Sequence, residues 1–147
     1  MFNRRAFTVA AVSSLLVLLA ACSQTGAADG ASDEWKTVGG DGNEQHYSAL
    51  SDIDETNVAQ LKPAWFAEYD TMRGQEGEPV VVDGVMYIST AWSKVYAYDA
   101  ETGKQLWQYD PKVPGAAAVR GCCDVVNRGV AYENGRVFVG TFDGRLA

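Results

Sequence analysis

Two stretches of this chain repeat one another, and that repeat restricts the fold more than any other feature. Asp83-Gly84-Val85-Met86-Tyr87-Ile88-Ser89-Thr90, continuing to Val95-Tyr96-Ala97, runs parallel to Asn134-Gly135-Arg136-Val137-Phe138-Val139-Gly140-Thr141, continuing to Leu146-Ala147. Gly84 and Gly135 stand 51 positions apart and Ala97 and Ala147 stand 50 apart, so one inserted residue reconciles the copies. Each copy opens on Asp-Gly or Asn-Gly, the dipeptides that favour a two-residue hairpin turn. A period of about fifty residues built from short antiparallel strands points to β-propeller blades. The fold class is therefore expected to be all-β, with only the first two or so blades present.

The rest of the chain from Trp35 onward agrees with that reading. Short runs rich in Val, Tyr, Phe and Trp are punctuated by glycine: 64–69, 80–82, 85–90, 94–99, 104–109 and 136–141. Fifteen glycines, seven tyrosines and four tryptophans fit turns and strands. One helical start stands out, Ser51-Asp52-Ile53-Asp54-Glu55-Thr56-Asn57-Val58, with N-cap candidates and the apolar spacing Ile53, Val58, Leu61; a turn or two is expected there. Propellers have four to eight blades, each burying its faces on its neighbours. Two blades alone would expose broad apolar surfaces, so the sequence is expected to be the N-terminal part of a much longer protein.

Charge narrows the function. Residues 22–147 carry 19 acidic side chains against 10 Lys and Arg, a balance of −9. A nucleic-acid binder needs a basic face to displace counterions from phosphate, so that class is excluded. Electrostatic docking on an anionic membrane is disfavoured for the same reason. The first residues are of another kind. Arg4 and Arg5 form a basic n-region, and Ala6 to Ala21 is nearly all small or apolar, shorter than a membrane span of about 20 residues. The run ends Leu19-Ala20-Ala21-Cys22, which resembles the bacterial lipobox, in which the cysteine is acylated. Ser23 after it is similar to the outer-membrane sorting signal of enteric-type bacteria. Residues 1–21 are read as a lipoprotein signal peptide and 22–33, small and polar, as a flexible tether.

Export would place the remaining thiols in an oxidising compartment. With Cys22 acylated, Cys122 and Cys123 remain, adjacent in sequence. Ordinary disulfides join Cα atoms about 4.4–6.8 Å apart, whereas neighbours across a trans peptide are about 3.8 Å apart. A bond between them would close a strained eight-membered ring and add little loop-closure stabilisation. The residues alone leave open that ring, an intermolecular disulfide, separate partners elsewhere, or metal thiolates.

Three further segments carry a family resemblance. Residues Ala97-Tyr98-Asp99-Ala100-Glu101-Thr102-Gly103-Lys104-Gln105-Leu106-Trp107 resemble the tryptophan-docking motif of the pyrroloquinoline quinone (PQQ) repeat. Gly121-Cys122-Cys123-Asp124-Val125-Val126-Asn127-Arg128-Gly129-Val130-Ala131-Tyr132 and Arg73-Gly74-Gln75-Glu76-Gly77-Glu78-Pro79-Val80-Val81-Val82-Asp83-Gly84 are similar to the PQQ-dependent alcohol and methanol dehydrogenases. The resemblance covers Trp35 to Ala147. It implies that Cys122 and Cys123 form a vicinal disulfide packing on one face of PQQ, that Arg128 pairs with a PQQ carboxylate, and that Glu76 contacts the cofactor. A planar guanidinium suits a carboxylate bidentately. A glutamate near a polyanion needs a donor partner or a shared proton. Glu78 is expected to be exposed, and His46, the only histidine, to be structural or on the surface. Gly115-Ala116-Ala117-Ala118-Val119-Arg120 departs from relatives that place a tryptophan before Val-Arg.

Residues 34–147 are thus read as the N-terminal part of a PQQ-binding propeller. The resemblance implies a PQQ-dependent alcohol dehydrogenase that oxidises alcohols to aldehydes in the periplasm, membrane-anchored through its lipid. Ca2+ or a lanthanide would act with PQQ, and electrons would pass to a cytochrome c or a quinone. The metal ligands and catalytic residues would lie beyond Ala147, leaving no catalytic or metal residue in this stretch, and the stretch alone is expected to be inactive. A non-catalytic propeller lipoprotein of the outer-membrane assembly type would share the lipobox and docking motif but gives no use for Cys122-Cys123 or Arg128. Membrane-bound sugar quinoprotein dehydrogenases generally have several spans or lack the cysteine pair. The lipobox makes a direct prediction: Cys22→Ala should release the exported protein from membranes in detergent-free extraction. Equal membrane partitioning of the variant and the wild type would contradict acylation.

Overall fold

The computed structural model describes residues 34–147. The expected signal peptide, Cys22 and the tether lie outside the described residues. Four short strands form an antiparallel meander: β1 (Val80–Val82), β2 (Val85–Ser89), β3 (Val95–Asp99) and β4 (Gln105–Tyr109), in the order β1-β2-β3-β4. A second hairpin follows, β5 (Ala131–Glu133) with β6 (Arg136–Phe138). The first set has the four-stranded form of one propeller blade. Trp35 extends its β1 edge, exchanging two backbone hydrogen bonds of 2.8 Å with Val81.

Asp83-Gly84 and Asn134-Gly135 both adopt left-handed conformations, with φ of 50°, 72°, 49° and 77°, as the tightest hairpin turn requires. The two copies then superpose pair by pair. Val80↔Tyr87 and Val82↔Val85 recur as Ala131↔Phe138 and Glu133↔Arg136, and Ser89↔Val95 recurs as Gly140↔Leu146. The Thr90 N–H donation to Lys94 O recurs as Thr141 to Arg145, each at 2.8 Å. Every pair is displaced by 51 positions, so the inserted residue expected from Ala97 and Ala147 is not there. Ala147 corresponds to Tyr96. The identity of the two alanines had suggested a different alignment, but backbone pairing sets register, and the connecting turns have equal length.

The copies share one core. Val80, Val82 and Val95 of the first blade bury against Val130 and Val139 of the second, with Tyr87, Tyr132 and Val137 packed around them. Each buried valine contributes on the order of 1.5–3 kcal/mol. Tyr87 pairs with Ala97, and Ala97 with Trp107, so all three stand in one row on one face of the sheet. The small Ala97, fully buried, lets the Tyr87 and Trp107 rings approach to 5.8 Å. Tyr87 also stacks on Tyr132 at 5.8 Å, carrying the aromatic row into the second repeat.

The expected strand at 64–69 forms no ladder among the described residues. Its side chains still alternate: Trp65, Ala67 and Tyr69 turn inward, while Phe66, Glu68 and Asp70 are exposed. It is held by side chains instead. Tyr69 packs on Tyr96 at 5.0 Å, and Asp70 receives Lys94 Nζ at 2.7 Å and the Tyr96 hydroxyl at 3.3 Å. Burial, with the Asp70 charge beside it, pushes the Tyr96 phenol up to about 12. The indole of Trp65 lies over the Asp99–Gly103 turn, donating from Nε1 to Ala100 O at 3.0 Å. That turn is closed by Asp99, whose Oδ1 accepts from the Thr102 N–H and hydroxyl at 2.8 and 2.7 Å. The docking motif thus works as a receptor for a tryptophan from the preceding segment.

The helical start at 51–58 is reduced to one 3-10 turn, Val58–Gln60. Asp54 spends its carboxylate on Thr56, and Pro63 disfavours helix at the residue before it. Another 3-10 helix, Gly115–Arg120, occupies the alanine run in which relatives place a tryptophan before Val-Arg. Gly103 generates the clearest test of the docking. Its φ is +71°, and a Cβ there would lie 2.5 Å from the Trp65 ring. Gly103→Ala in the full-length gene product should lower stability by about 2–4 kcal/mol, through left-handed strain and a displaced indole. Urea denaturation followed by tryptophan fluorescence measures it, and an unchanged midpoint would contradict the docking role.

Candidate cofactor site

Two irregular segments come together at the end of the blade where β1 and β5 begin. One is the turn 73–78 leading into β1. The other is the loop 121–130 between the Gly115–Arg120 helix and β5. Neither has a strand or helix of its own. Glycines let them approach. A Cβ on Gly77 would lie 2.5 Å from Ser89 O and 2.9 Å from Ser89 Oγ, and one on Gly121 would run into the Phe142 ring. The loop is pinned from below by Val125, which is buried, and by Asn127. Asn127 donates from Nδ2 to Gly140 O at 2.8 Å and to Ser93 Oγ at 3.3 Å, and its Oδ1 accepts from the Gly129 N–H at 3.2 Å.

Two ion pairs cross between the segments. Arg128 Nη2 lies 3.1 Å from Glu76 Oε2, and Arg73 Nη1 lies 2.9 Å from Asp124 Oδ1. Glu76 and Arg128 are therefore brought together, and Arg128 is the donor partner that Glu76 needed. Both remain open to solvent, 45% and 72% of their side chains being exposed, which leaves the guanidinium able to meet another anion. Cys122 and Cys123 are bonded to each other, with Cα atoms 3.8 Å apart, and both are exposed. Of the possibilities the sequence left open for this pair, the ring is the one formed. Cys123 and Asp124 have φ of 68° and 66°, so the chain reverses hand directly after the ring. Asp124 then ties that reversal to Arg73, three residues before Glu76.

Glu78 departs from expectation. It is half-buried rather than exposed, and it anchors the N-terminal segment. Its Oε1 accepts from the Gly39 N–H and from Trp35 Nε1, each at 2.8 Å, and its Oε2 lies 3.6 Å from His46 Nδ1. His46 is exposed, on the surface beside Glu78. The polar residues Arg73, Asp124 and Asn127 received no role in the sequence reading, although all three lie within the quoted motifs. Alternating charge at 73, 76, 124 and 128 was the available signal.

The arrangement fits a flat, multiply charged anion. It offers an exposed arginine, a bonded two-sulfur ring, and two carboxylates, Glu76 and Asp124, each matched by an arginine. Among the described residues no three His, Cys, Asp or Glu side chains gather to hold a metal ion. A cleft of about 460 Å³ lies elsewhere, among the hairpin turns at Asp83 and Asn134-Gly135, and includes none of these residues.

Glu78 yields a pH prediction. The Gly39 N–H first, then the Trp35 indole, hold its carboxyl below the usual carboxylate range against the opposing effect of burial, with a lesser contribution from His46. A depressed folded-state value stabilises the fold above the unfolded value and is lost as pH falls through the folded one. Glu78→Gln should therefore be less stable than wild type at pH 7. The difference should shrink below about pH 4. Thermal melts across that range test it, and a gap independent of pH would contradict a charged anchor.

Comparison with known proteins places this geometry in a family. Residues 35–147 match the family described as PQQ: Glucose/ethanol/alcohol dehydrogenase, beta-propeller domain. The chain is 58% identical over 119 residues to the alcohol dehydrogenase (quinone) dehydrogenase subunit of Komagataeibacter europaeus, covering 81% of this chain and 16% of that protein. It is 50% identical over 113 residues to the quinohemoprotein alcohol dehydrogenase of Comamonas testosteroni, covering 77% and 16%. The crystal structure of the latter superposes with a TM-score of 0.75 over 77% of this chain and 17% of that one. A europium-containing methanol dehydrogenase superposes with a TM-score of 0.72 at 39% identity, covering 77% and 20%. The chain thus spans about a sixth of the length of the relatives it matches. The strand meander, its repeat and these matches agree: the chain belongs to the PQQ glucose/ethanol/alcohol dehydrogenase beta-propeller family.

Proposed function

We propose that this chain supplies one wall of the PQQ site of a quinoprotein alcohol dehydrogenase, which oxidises alcohols to aldehydes. The observation that carries this reading is the exposed Glu76–Arg128 pair, with Arg128 on the same loop as the bonded Cys122–Cys123 ring. The activity follows from relatives that are alcohol dehydrogenases of the quinone and cytochrome c types. When bound, PQQ would supply the two-electron acceptor, and Ca2+ or a lanthanide the Lewis acid. A europium-containing relative supports the lanthanide option. No metal ligand is assigned to the described residues.

This chain's own contribution is binding and orientation. Arg128 would hold a carboxylate of the cofactor through its guanidinium, and Glu76 keeps that guanidinium aimed while no ligand is present. The Cys122–Cys123 ring offers a stiff face for an aromatic plane, so the plane cannot rock on that side. The basic n-region, apolar run and Cys22 support export and a lipid anchor on the periplasmic side, with electrons leaving to a cytochrome c or a quinone.

Titration of the PQQ-free, full-length gene product with PQQ tests the proposal. Arg128→Ala should weaken binding roughly 10- to 100-fold, the effect of losing a charge-assisted hydrogen bond of about 1.5–3 kcal/mol. Arg128→Lys should fall between, since an ammonium keeps charge but not the fork. Unchanged affinity in Arg128→Ala, or a wild type that binds no PQQ, would refute the assignment.

A further inference from the structure

The structure assigns Arg73 and Asp124 as positioning residues that hold the Cys122–Cys123 ring in place. The inference rests on the reading of this region as a cofactor site, but neither residue belongs to the pair assigned to the ligand.

Four charges cross the junction of turn and loop, and their polarity alternates. The turn presents plus at Arg73 and minus at Glu76; the loop presents minus at Asp124 and plus at Arg128. Sliding either segment would set like charges together, so the crossed pairs fix register between segments that lack any backbone ladder. The two pairs differ in duty. Arg128 is the more open of the two arginines and can turn to a new anion. Arg73 is held from its own side: its N–H donates to Thr71 Oγ1 at 3.1 Å, and its carbonyl accepts from Gln75 Nε2 at 2.9 Å. Asp124 follows the ring directly and sits in the left-handed region, as Cys123 does. Two successive non-glycine residues of that hand are unfavourable unless surroundings over-determine them. The Arg73 contact to Asp124 is a restraint acting at that point. When Arg128 engages a ligand carboxylate, Arg73–Asp124 remains to keep the loop on the turn.

An exposed ion pair contributes little to global stability, so the expected signature is local. Asp124→Asn is the cleanest variant, because asparagine also tolerates the left-handed conformation and keeps the side-chain shape. Arg73→Ala removes the other partner, and Arg73→Lys keeps the charge. In the PQQ-free, full-length gene product, Cys122–Cys123 is reduced by dithiothreitol, which becomes its cyclic disulfide as two thiols form. Timed alkylation and mass spectrometry follow those thiols.

Asp124→Asn and Arg73→Ala should each raise the reduction rate roughly five-fold and weaken PQQ binding by a similar factor. Arg73→Lys should recover much of both. The double variant should match the singles, since one interaction is lost in each. Thermal midpoints should move by only a degree or two. Unchanged reduction rates in both single variants, or additive effects in the double, would overturn the proposal. Faster reduction in a protein that binds no PQQ would uphold the brace and refute the cofactor reading separately.

Discussion

Ser93 holds together what the rest of the site depends on. It is fully buried at the turn between β2 and β3, with a left-handed φ of 56° that follows one of 63° at Trp92. Its hydroxyl accepts from the Phe142 N–H of the second repeat at 3.0 Å and from Asn127 at 3.3 Å, while the Trp92 N–H donates to Val125 O at 2.9 Å. One turn of the first blade thereby fixes the second blade and the loop between them. The loop carrying Cys122, Cys123 and Arg128 needs this, because buried backbone groups without a ladder require other partners. The unusual backbone at Trp92 and Ser93 is the local strain that places the hydroxyl between three segments.

Above that anchor, chemistry is arranged by charge. The described blade is acidic in composition, yet between the 73–78 turn and the 121–130 loop Asp124 meets Arg73 and Glu76 meets Arg128. Such pairs add little stability in water, where an exposed pair is worth about 0–1 kcal/mol. Their value lies in placement: they set two flexible segments in one register and leave a guanidinium facing solvent. Covered by a ligand, the same pair would act in a lower dielectric and interact more strongly. Stability comes instead from the valine core and the tryptophan docked on Gly103, well apart from the ion pairs in function.

The repeat was legible because hairpin turns need residues that tolerate positive φ, and Asp83-Gly84 and Asn134-Gly135 announce them. The shift of 51 throughout was not, because matching Ala97 to Ala147 by identity ignored the equal turns Thr90–Lys94 and Thr141–Arg145. Residues 64–69 show the correct alternation for a strand, but a strand also needs a partner, which composition does not reveal. Cys122, Cys123, Glu76 and Arg128 were recognisable from their motifs, and the structure joins the cysteines and pairs the charges. Glu78 was misread for a physical reason. Its neighbours in sequence are glycine and proline, as in an exposed turn, whereas its partners Trp35, Gly39 and His46 lie some 32 to 43 residues away. Ser93 and Asn127 were invisible for the same reason: short polar side chains are ordinary until their distant acceptors and donors are known.

The central claim is that the Cys122–Cys123 ring and Arg128 form a wall of a PQQ site. A structure of the full-length gene product with PQQ tests it most directly. The account predicts the quinone plane resting on the two bonded sulfurs at van der Waals distance, about 3.5–4 Å, with a PQQ carboxylate within about 3 Å of Arg128. PQQ bound elsewhere, or bound here with Cys122 and Cys123 as separate thiols, would contradict it.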